Sequence, residues 1–470
     1  MSVFDQTFLK DIYELVCSHF YTDILSLKVL SVTCIELNKL VMSIVATIPV
    51  KGREILSSVD LAVKNRNLEL VKWFHNRDKI SQTACYWAAT GGNLDIMKWL
   101  RLNNYPWDAT TTNAAASNGN VEVFKWALDE GCEFDNTSCI IAAKNGHFEI
   151  LKCAHAHGSP IDAKANIKIY RRHPSQWSTA VCSNASRGGH LDILQWARSN
   201  GFPWDQEVCS EAASIGRLDI LQWAQAEGCI WRAKTCNEAA RNGHLEVLQW
   251  ARKNGCAWNW ETCSNAALGG HLEILKWAIE NGCEQNSSIC YSAAEGGHLE
   301  VLKWARDHGC EWRSSTCSGA AEGGHLEILK WARENGCEWD IDTCSNAAKG
   351  GHLEILKWAR AHGCPWNSIT CFNAALGGHL EVLKWIREDG CVWSDQICSY
   401  AAAGGHLEVL KWARTLGCPW DSSTCKVAAN NGHFEVLKWA KENGCPLKIY
   451  IDYESPNYNK EIFQWIIDNR

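Results

Sequence analysis

The sequence has few prolines, no dense basic segment and no local signature of an enzyme. Only 9 of its 470 residues are proline and 46% are apolar. The chain can therefore bury a core, and we expect it to be folded. The formal net charge of -7 argues against nucleic acid or an anionic membrane as the main partner, because both require a concentrated basic face.

Several chemical signatures are missing as well. The chain contains no C-x-x-C pair, no glycine-rich phosphate loop and no nucleophile elbow, so we expect no enzyme activity, no metal site and no cofactor. The apolar run LVMSIVATIPV at 40–50 is about half as long as a membrane span and predicts a buried helix. No secretory signal is visible, so we expect an intracellular protein, cytoplasmic or nuclear, whose 25 cysteines are mostly thiols.

One segment is repeated along most of the chain. The histidine of a Gly-His pair, or the residue in its place, marks each copy, and from His190 onward the copies are 27 residues apart. Fourteen repeats lie between about residue 55 and residue 447, residues 460–469 repeat only the second half, and roughly residues 163–178 are an insertion. We therefore expect a repeat array over 51–470 behind a separate segment, 1–50. The markers are Asn67, Asn93, Asn120, His147, His190, Arg217, His244, His271, His298, His325, His352, His379, His406 and His433.

Each repeat is predicted to form two short helices. Helix A, for example IDTCSNAAK at 341–349, follows Asp340, a residue type that favours a helix start, and ends at a pair of glycines. Helix B, for example HLEILKWARAH at 352–362, ends at Gly363. Apolar residues occupy more than one face of helix B, so neighbouring repeats are expected to cover one another in a stack.

The stretch TCFNAALGGHLEVLKWIREDGCVW at 370–393 resembles the ankyrin repeat, with Trp385 and Cys391 in place of a leucine and an alanine. An ankyrin repeat has about 33 residues, and the residues missing here fall between helix B and the next helix A, where ankyrins carry a projecting finger. The resemblance implies an all-α solenoid of stacked helix-turn-helix repeats that binds protein partners as a monomer. We expect short loops in place of the fingers, and hence a binding surface other than finger tips.

The repeated cysteines, histidines and tryptophans are interpreted as architecture. Apart from Cys17, Cys34 and Cys153, the cysteines occur in helix A or directly after the glycine that ends helix B, and we expect them to be packed as small apolar residues. We expect the histidines to bond to the local turn backbone and the tryptophans to form a buried core, not a base-stacking surface. The alternatives are metal sequestration by the thiols, or a metal site at Cys153 and His157.

Residues 8–41, FLKDIYELVCSHFYTDILSLKVLSVTCIELNKLV, resemble the F-box, with a leucine in place of its usual proline. The resemblance implies docking against a Skp-type adaptor of a cullin-RING ubiquitin ligase. F-boxes ahead of ankyrin-like repeats occur in large DNA viruses and some protists. The alternative is an amphipathic helical cap for the array. The residues implied to contact the adaptor are Phe8, Leu9, Ile12, Val16 and Leu25.

The insertion is the second departure from the repeat. It carries several basic residues beside aromatic ones in an otherwise acidic chain, so it is a candidate for gripping an acidic partner. The alternative is a tolerated surface insertion. The candidate partner-binding residues are Tyr170, Arg171, Arg172 and Trp177.

Together these features predict a protein-interaction scaffold that recruits target proteins to a ubiquitin ligase through residues 1–50. The alternative is a stand-alone scaffold or effector without a ligase. The helix-A positions that vary between repeats, such as Tyr291, Phe372 and Tyr400, are candidates for partner selectivity.

Overall fold

The computed structural model describes residues 60, 62–64, 66–75, 80, 83–157, 174–390, 396–447 and 460–469. These residues form α-helices joined by short turns and contain no β-strand. Among the described helices, none has the length and apolarity needed to cross a bilayer. The chain divides into two compact units, Met1–Phe134 and Asp135–Arg470. The predicted boundary near residue 50, and with it the F-box-like segment, lies outside the described residues.

Short helices follow one another along the described residues of both compact units. In the first unit they are α1 (Leu68–His75), α2 (Ala84–Thr90), α3 (Leu94–Leu102), α4 (Ala109–Ser117) and α5 (Val121–Asp129). In the first half of the second unit they are α6 (Asn136–Asn145), α7 (Phe148–Ala156), α8 (Pro174–Gly188), α9 (Leu191–Ser199), α10 (Glu207–Ser214), α11 (Leu218–Ala226), α12 (Ala233–Arg241), α13 (Leu245–Lys253), α14 (Trp260–Leu268), α15 (Leu272–Glu280), α16 (Ser288–Glu295) and α17 (Leu299–Asp307). In the second half they are α18 (Ser314–Gly323), α19 (Leu326–Glu334), α20 (Ile341–Gly350), α21 (Leu353–Ala361), α22 (Ser368–Gly377), α23 (Leu380–Glu388), α24 (Ile397–Gly404), α25 (Leu407–Thr415), α26 (Ser422–Asn430), α27 (Phe434–Glu442) and α28 (Lys460–Asp468).

The start and end of helix A follow from local sequence in several repeats. The Asp340 carboxylate accepts a hydrogen bond from the backbone N–H of Asp342 at 3.0 Å, which satisfies one of the free N–H groups at the start of α20. At the other end Gly351 adopts a φ of 78°, the left-handed conformation that a glycine accepts without strain. The predicted capping role of Asp and Asn is confirmed in several repeats. The capping residues are Asp108, Asp135, Asp205, Asn259, Asn286, Asp340, Asn367 and Asp421.

The core is a layer of small and branched apolar side chains between helix A and helix B. In the repeat of α20 and α21, the side chains of Cys344, Ala347, Ala348 and Leu356 are 0% exposed. Successive helices A lie against one another, as α18 lies against α20 and α20 against α22. Since each repeat buries its apolar face only against its neighbours, the described chain is an all-α helical repeat array, as predicted.

The connection between helix B and the next helix A is short. Residues 335–340 join α19 to α20 without a projecting hairpin, which confirms the short loop expected at this connection. α8 is longer than the other helices A and begins at Pro174, inside the segment predicted to be the insertion. α28 corresponds to a helix B, and its Ile462 and Ile466 are buried.

Candidate functional site

The residues predicted to bind partners lie almost entirely outside the described residues. Among them the structure describes only the backbone of Trp177, which lies in α8. It does not describe the Trp177 side chain. Both predictions, adaptor docking and partner capture by the insertion, therefore stay predictions. The residues outside the described part are Phe8, Leu9, Ile12, Val16, Leu25, Tyr170, Arg171 and Arg172.

The cysteine positions lie in the core, as predicted. The helix-A thiol of Cys317 is 0% exposed, and its Sγ lies 3.9 Å from the carbonyl oxygen of Cys337, the cysteine that follows helix B. Burial raises the pKa of Cys182 and of Cys290 to about 12. Because metals bind the thiolate, burial makes these two thiols poor metal ligands. Among the cysteines that follow helix B the direction differs, because a hydrogen bond with the helix-A thiol of Cys317 lowers the pKa of Cys337.

The Cys153 and His157 pair has the predicted arrangement on one helix face, with Cys153 Sγ 3.7 Å from His157 Nδ1. The neighbouring His155 instead lies edge-on to Trp196, with 5.6 Å between ring centroids. Over the described ranges, no three side chains of His, Cys, Asp or Glu converge to form a group that could hold a metal ion.

The role predicted for the repeated histidines is wrong in one respect. Nε2 of His352 donates a hydrogen bond to the carbonyl oxygen of Glu322 at 3.0 Å, thirty residues earlier. That carbonyl belongs to the preceding repeat, so the bond is not local to the turn. The imidazole lies over the second glycine of the preceding turn: a Cβ on Gly324 would come within 2.6 Å of the ring. The histidine therefore joins one repeat to the next.

Other residues make the same link where histidine is replaced. Nδ2 of Asn93 donates to the carbonyl of Val63 at 2.6 Å, and Nδ2 of Asn120 donates to that of Ala89 at 2.7 Å. The common requirement at this position is thus an N–H donor that reaches the preceding repeat. This explains why asparagine can stand in place of histidine in the early repeats.

The prediction that the tryptophans form the buried core is also wrong. In the part of the chain that the structure describes, the tryptophans after helix B and those within helix B are half-buried or exposed, and none is fully buried. The reason is rotation around the helix. Leu329 and Ala332 face helix A, whereas Trp331 follows Leu329 by two residues and is turned by about 200° from it.

The half-buried tryptophans make contacts between repeats. The loop Trp339 lies edge-to-face with Trp358 of the next helix B, 5.8 Å between centroids, and the Arg333 guanidinium lies 4.2 Å above the Trp339 ring. We call these tryptophans and their arginines the aromatic ladder. In the second compact unit its pairs are Trp204–Trp223, Trp231–Trp250, Trp258–Trp277, Trp312–Trp331, Trp339–Trp358, Trp366–Trp385 and Trp420–Trp439.

The arginines of the ladder have a regular spacing in the sequence. An arginine recurs six residues before a loop tryptophan. Nη1 of Arg252, for example, also donates to the Cys256 carbonyl at 2.6 Å while the guanidinium lies 4.1 Å from the Trp258 ring. The arginine–tryptophan pairs are Arg101–Trp107, Arg198–Trp204, Arg252–Trp258, Arg306–Trp312, Arg333–Trp339, Arg360–Trp366 and Arg414–Trp420.

A second surface is formed by the outer residues of successive helices A, and at its centre is Glu322 on α18. Its carboxylate accepts hydrogen bonds from Tyr291 Oη at 3.3 Å, from Asn346 Nδ2 at 3.3 Å and from Lys349 Nζ at 3.0 Å, so three consecutive repeats meet here. Burial, together with the Glu295 and Glu322 carboxylates, raises the pKa of Tyr291 to about 12. Burial and the nearby Glu322 raise the pKa of Glu295 as well.

Aromatic rings continue this surface on the following repeats. Phe372 on α22 and Tyr400 on α24 are stacked, with 4.8 Å between centroids and an interplanar angle of 10°. Both are half-buried, so part of the stack is accessible. We call Tyr291, Glu322, Lys349, Phe372 and Tyr400 the helix-A row, and it is the candidate binding surface of the described array.

Comparison with known proteins adds little to this geometry. No protein-family model matches the chain, and no curated protein matches it. Among solved structures, the human ASB11 ankyrin repeat domain is 19% identical; the match covers 33% of this chain and 84% of that domain, with a TM-score of 0.27. The assignment of the repeat fold rests on the helices and turns described above.

Proposed function

We propose that this chain is a protein-recognition scaffold whose helix-A row selects the partner. The observation that carries the proposal is variation at this row among otherwise similar repeats. Tyr291 and Phe372 stand where Ser318 and Ser345 stand in other repeats, whereas the helix-B sequence LEILKWAR is the same at 326–333 and 353–360. A surface whose side chains differ from repeat to repeat can discriminate among partners, because specificity is a difference in affinity that identical side chains do not provide.

Contact chemistry favours a protein partner. The helix-A row combines tyrosine and phenylalanine rings with charges of both signs, and tyrosine is common at the energetic centres of protein interfaces. The aromatic ladder is a poor surface for stacking nucleic-acid bases, although it is rich in tryptophan and arginine. In the stacked pairs, arginine covers a face of the loop tryptophan, so that face is not open to a base, and the net charge of -7 repels phosphates.

The finer proposal is that the scaffold delivers its partner to a ubiquitin ligase. Its support is the F-box resemblance of residues 8–41, in which Ile12 and Val16 are among the apolar residues implied to contact a Skp-type adaptor. The basic insertion, with Arg171 and Arg172, would add a contact to an acidic region of the same partner. A stand-alone scaffold is the alternative if no adaptor binds.

Adaptor binding is tested with the purified full chain and a purified Skp-type adaptor by biolayer interferometry. We expect the wild type to bind, the double variant Ile12→Asp with Val16→Asp to lose binding, and the matched control Phe372→Ala with Tyr400→Ala to bind like the wild type. A wild-type chain that binds no adaptor would refute the ligase role and leave the stand-alone scaffold.

Partner selection is tested by crosslinking the full chain in cells and identifying the bound proteins by mass spectrometry. Proteins selected by the helix-A row should be captured by the wild type and by the Ile12→Asp with Val16→Asp variant, but lost from the Phe372→Ala with Tyr400→Ala variant. If the latter variant captures the same proteins in the same amounts, the row does not select the partner. Arg171→Glu with Arg172→Glu tests the insertion in the same assay.

A further inference from the structure

Between Trp204 and Trp366, one repeat lacks the loop tryptophan of the aromatic ladder. On either side of it, Arg252 lies 4.1 Å above Trp258 and Arg306 lies 4.1 Å above Trp312. In the repeat between them, the equivalent residues are Ile279 and Gln285. One arginine and one tryptophan are therefore replaced together, which removes a stacked pair from the surface.

The interruption leaves Trp304 of α17 without its edge-to-face tryptophan. In the intact register, a helix-B tryptophan holds two rings at once: Trp358 has His362 stacked at 4.4 Å and Trp339 edge-to-face at 5.8 Å. Trp304 keeps the stacked His308, at 4.1 Å. The residue equivalent to Trp339 in this repeat is Gln285. Trp304 therefore has no edge-to-face contact of the kind that Trp358 has with Trp339.

The missing ring leaves a cavity of about 430 Å³, which we call the ladder notch. The cavity is partly open to solvent and is a surface groove rather than an enclosed pocket. The notch is lined by Lys276, Ile279, Glu280, Gln285, Trp304 and His308.

We propose that the ladder notch binds a tryptophan side chain of a protein partner. An incoming indole would take the place that a loop tryptophan has in the other repeats, edge-to-face with Trp304 and beside the apolar Ile279. The Glu280 carboxylate lines the same space and supplies an acceptor for the indole N–H. Lys276 is held by the Glu273 carboxylate at 2.8 Å. An aliphatic side chain fits the space less well, because only a ring reproduces the edge-to-face contact.

This inference deepens the proposed protein-binding function by naming a chemical group that the partner would present. It concerns a different surface from the helix-A row and from residues 1–50. If the ladder notch does not bind tryptophan, the experiments on the adaptor and on the helix-A row still test those two surfaces. If those experiments fail, the binding measured at the notch is unaffected.

The test measures binding of a ring-fluorinated N-acetyltryptophanamide to the full chain by fluorine NMR. The wild type should bind with a dissociation constant on the order of 1 mM, as expected for a single small fragment. Gln285→Trp fills the notch and Trp304→Ala removes its aromatic wall, so each should weaken binding by roughly tenfold or more. The matched control Glu284→Trp adds a tryptophan at an exposed position outside the notch and should leave binding unchanged.

A competition experiment completes the test. N-acetylleucinamide in excess should not displace the probe. The proposal is overturned if the wild type shows no binding at millimolar probe, if both notch variants bind as the wild type does, or if the leucine compound competes equally. Circular dichroism confirms that each variant is folded, and the two notch variants change side-chain volume in opposite directions, so a common packing defect does not explain a shared loss.

Discussion

Nε2 of His325 donates a hydrogen bond to the carbonyl oxygen of Glu295 across 3.1 Å, and the two residues are thirty positions apart in the chain. A carbonyl oxygen only accepts, so this nitrogen carries the proton. Equivalent bonds link neighbouring repeats along much of the second compact unit. The acceptors are Ser214, Leu268, Glu295, Glu322, Lys349, Leu376 and Ala403.

Two substitutions of His325 should separate the contribution of the hydrogen bond from that of the imidazole ring. His325→Ala removes the donor and leaves the Glu295 carbonyl half-buried without it, which should cost about 1–3 kcal/mol of local stability. His325→Asn reproduces the residue found at Asn93 and Asn120, and should cost about 1 kcal/mol or less because the hydrogen bond is kept. Native-state hydrogen exchange of α16 and α19 measures the local free energy of opening. Equal losses in the two variants would show that the hydrogen bond contributes nothing.

Acid should destabilise the folded state at the same histidine, because the protonated ring is partly buried. Burial lowers the pKa of His325 below its ordinary value of 6.5, with His298 and His352 adding to the effect and the Glu295 carbonyl opposing it. The unfolded chain therefore takes up a proton before the folded one does as pH falls. The stabilisation is complete above pH 6.5 and is lost as pH falls through the folded pKa. Urea unfolding of the wild type and His325→Asn at pH 8 and pH 5 should show the wild type losing more stability, and parallel losses would contradict this.

Two glycines with the same backbone conformation should tolerate alanine differently. Gly324 has φ +84° and a Cβ there would come within 2.6 Å of the His352 ring, whereas Gly336 has φ +82° and nothing within 4 Å. Gly336→Ala should cost about 1–2 kcal/mol from backbone strain alone. Gly324→Ala should cost about 1–3 kcal/mol more, because the ring must move. Chemical denaturation of both variants measures the difference, and equal costs would mean that the ring shifts freely.

The arginines of the aromatic ladder should stabilise the folded chain through the planar shape of the guanidinium as well as through its charge. Arg252→Lys keeps the charge but loses the planar group that lies over Trp258 and donates to the Cys256 carbonyl. We expect Arg252→Lys to lower the free energy of unfolding by about 1 kcal/mol and Arg252→Ala by more. Thermal unfolding followed by circular dichroism gives the order. If Arg252→Lys is as stable as the wild type, only the positive charge of the arginine contributes to stability.

Thiol labelling should follow burial. Cys153 is partly exposed, whereas Cys317 is 0% exposed and its pKa is held well above the ordinary value by contact with Cys337 and by burial. Iodoacetamide reacts with the thiolate, so Cys153 should be modified in the native protein and Cys317 only after unfolding. Peptide mass spectrometry after timed labelling measures both. Labelling of Cys317 at a rate close to that of Cys153 would show that the core opens readily.

Much of the fold was predictable because its causes are local. The capping Asp340, the glycines that end the helices and the apolar spacing of helix A act within a few residues, and each lies where the sequence predicted it. The short connection at 335–340 followed from the repeat length. The burial of cysteine at two repeated positions followed from its small apolar side chain.

The candidate sites were less predictable because their partners lie in other repeats. The sequence marked the histidine position, but not the carbonyl thirty residues earlier that it binds. It marked the tryptophans, but their half-exposure depends on how helix B is rotated against helix A. Gln285 carries no distinctive signal in the sequence, and only the fold places it beside Trp304, nineteen residues later.

The sequence by itself therefore determined the repeat, its two helices, its turns and its buried small residues, since periodicity and capping are properties of short segments. Only the tertiary structure decided which residues meet across repeats: the histidine link, the aromatic ladder, the helix-A row and the ladder notch. Those contacts depend on the rotation and spacing of one repeat against the next, and that geometry is set by the packing of whole helices rather than by any single segment.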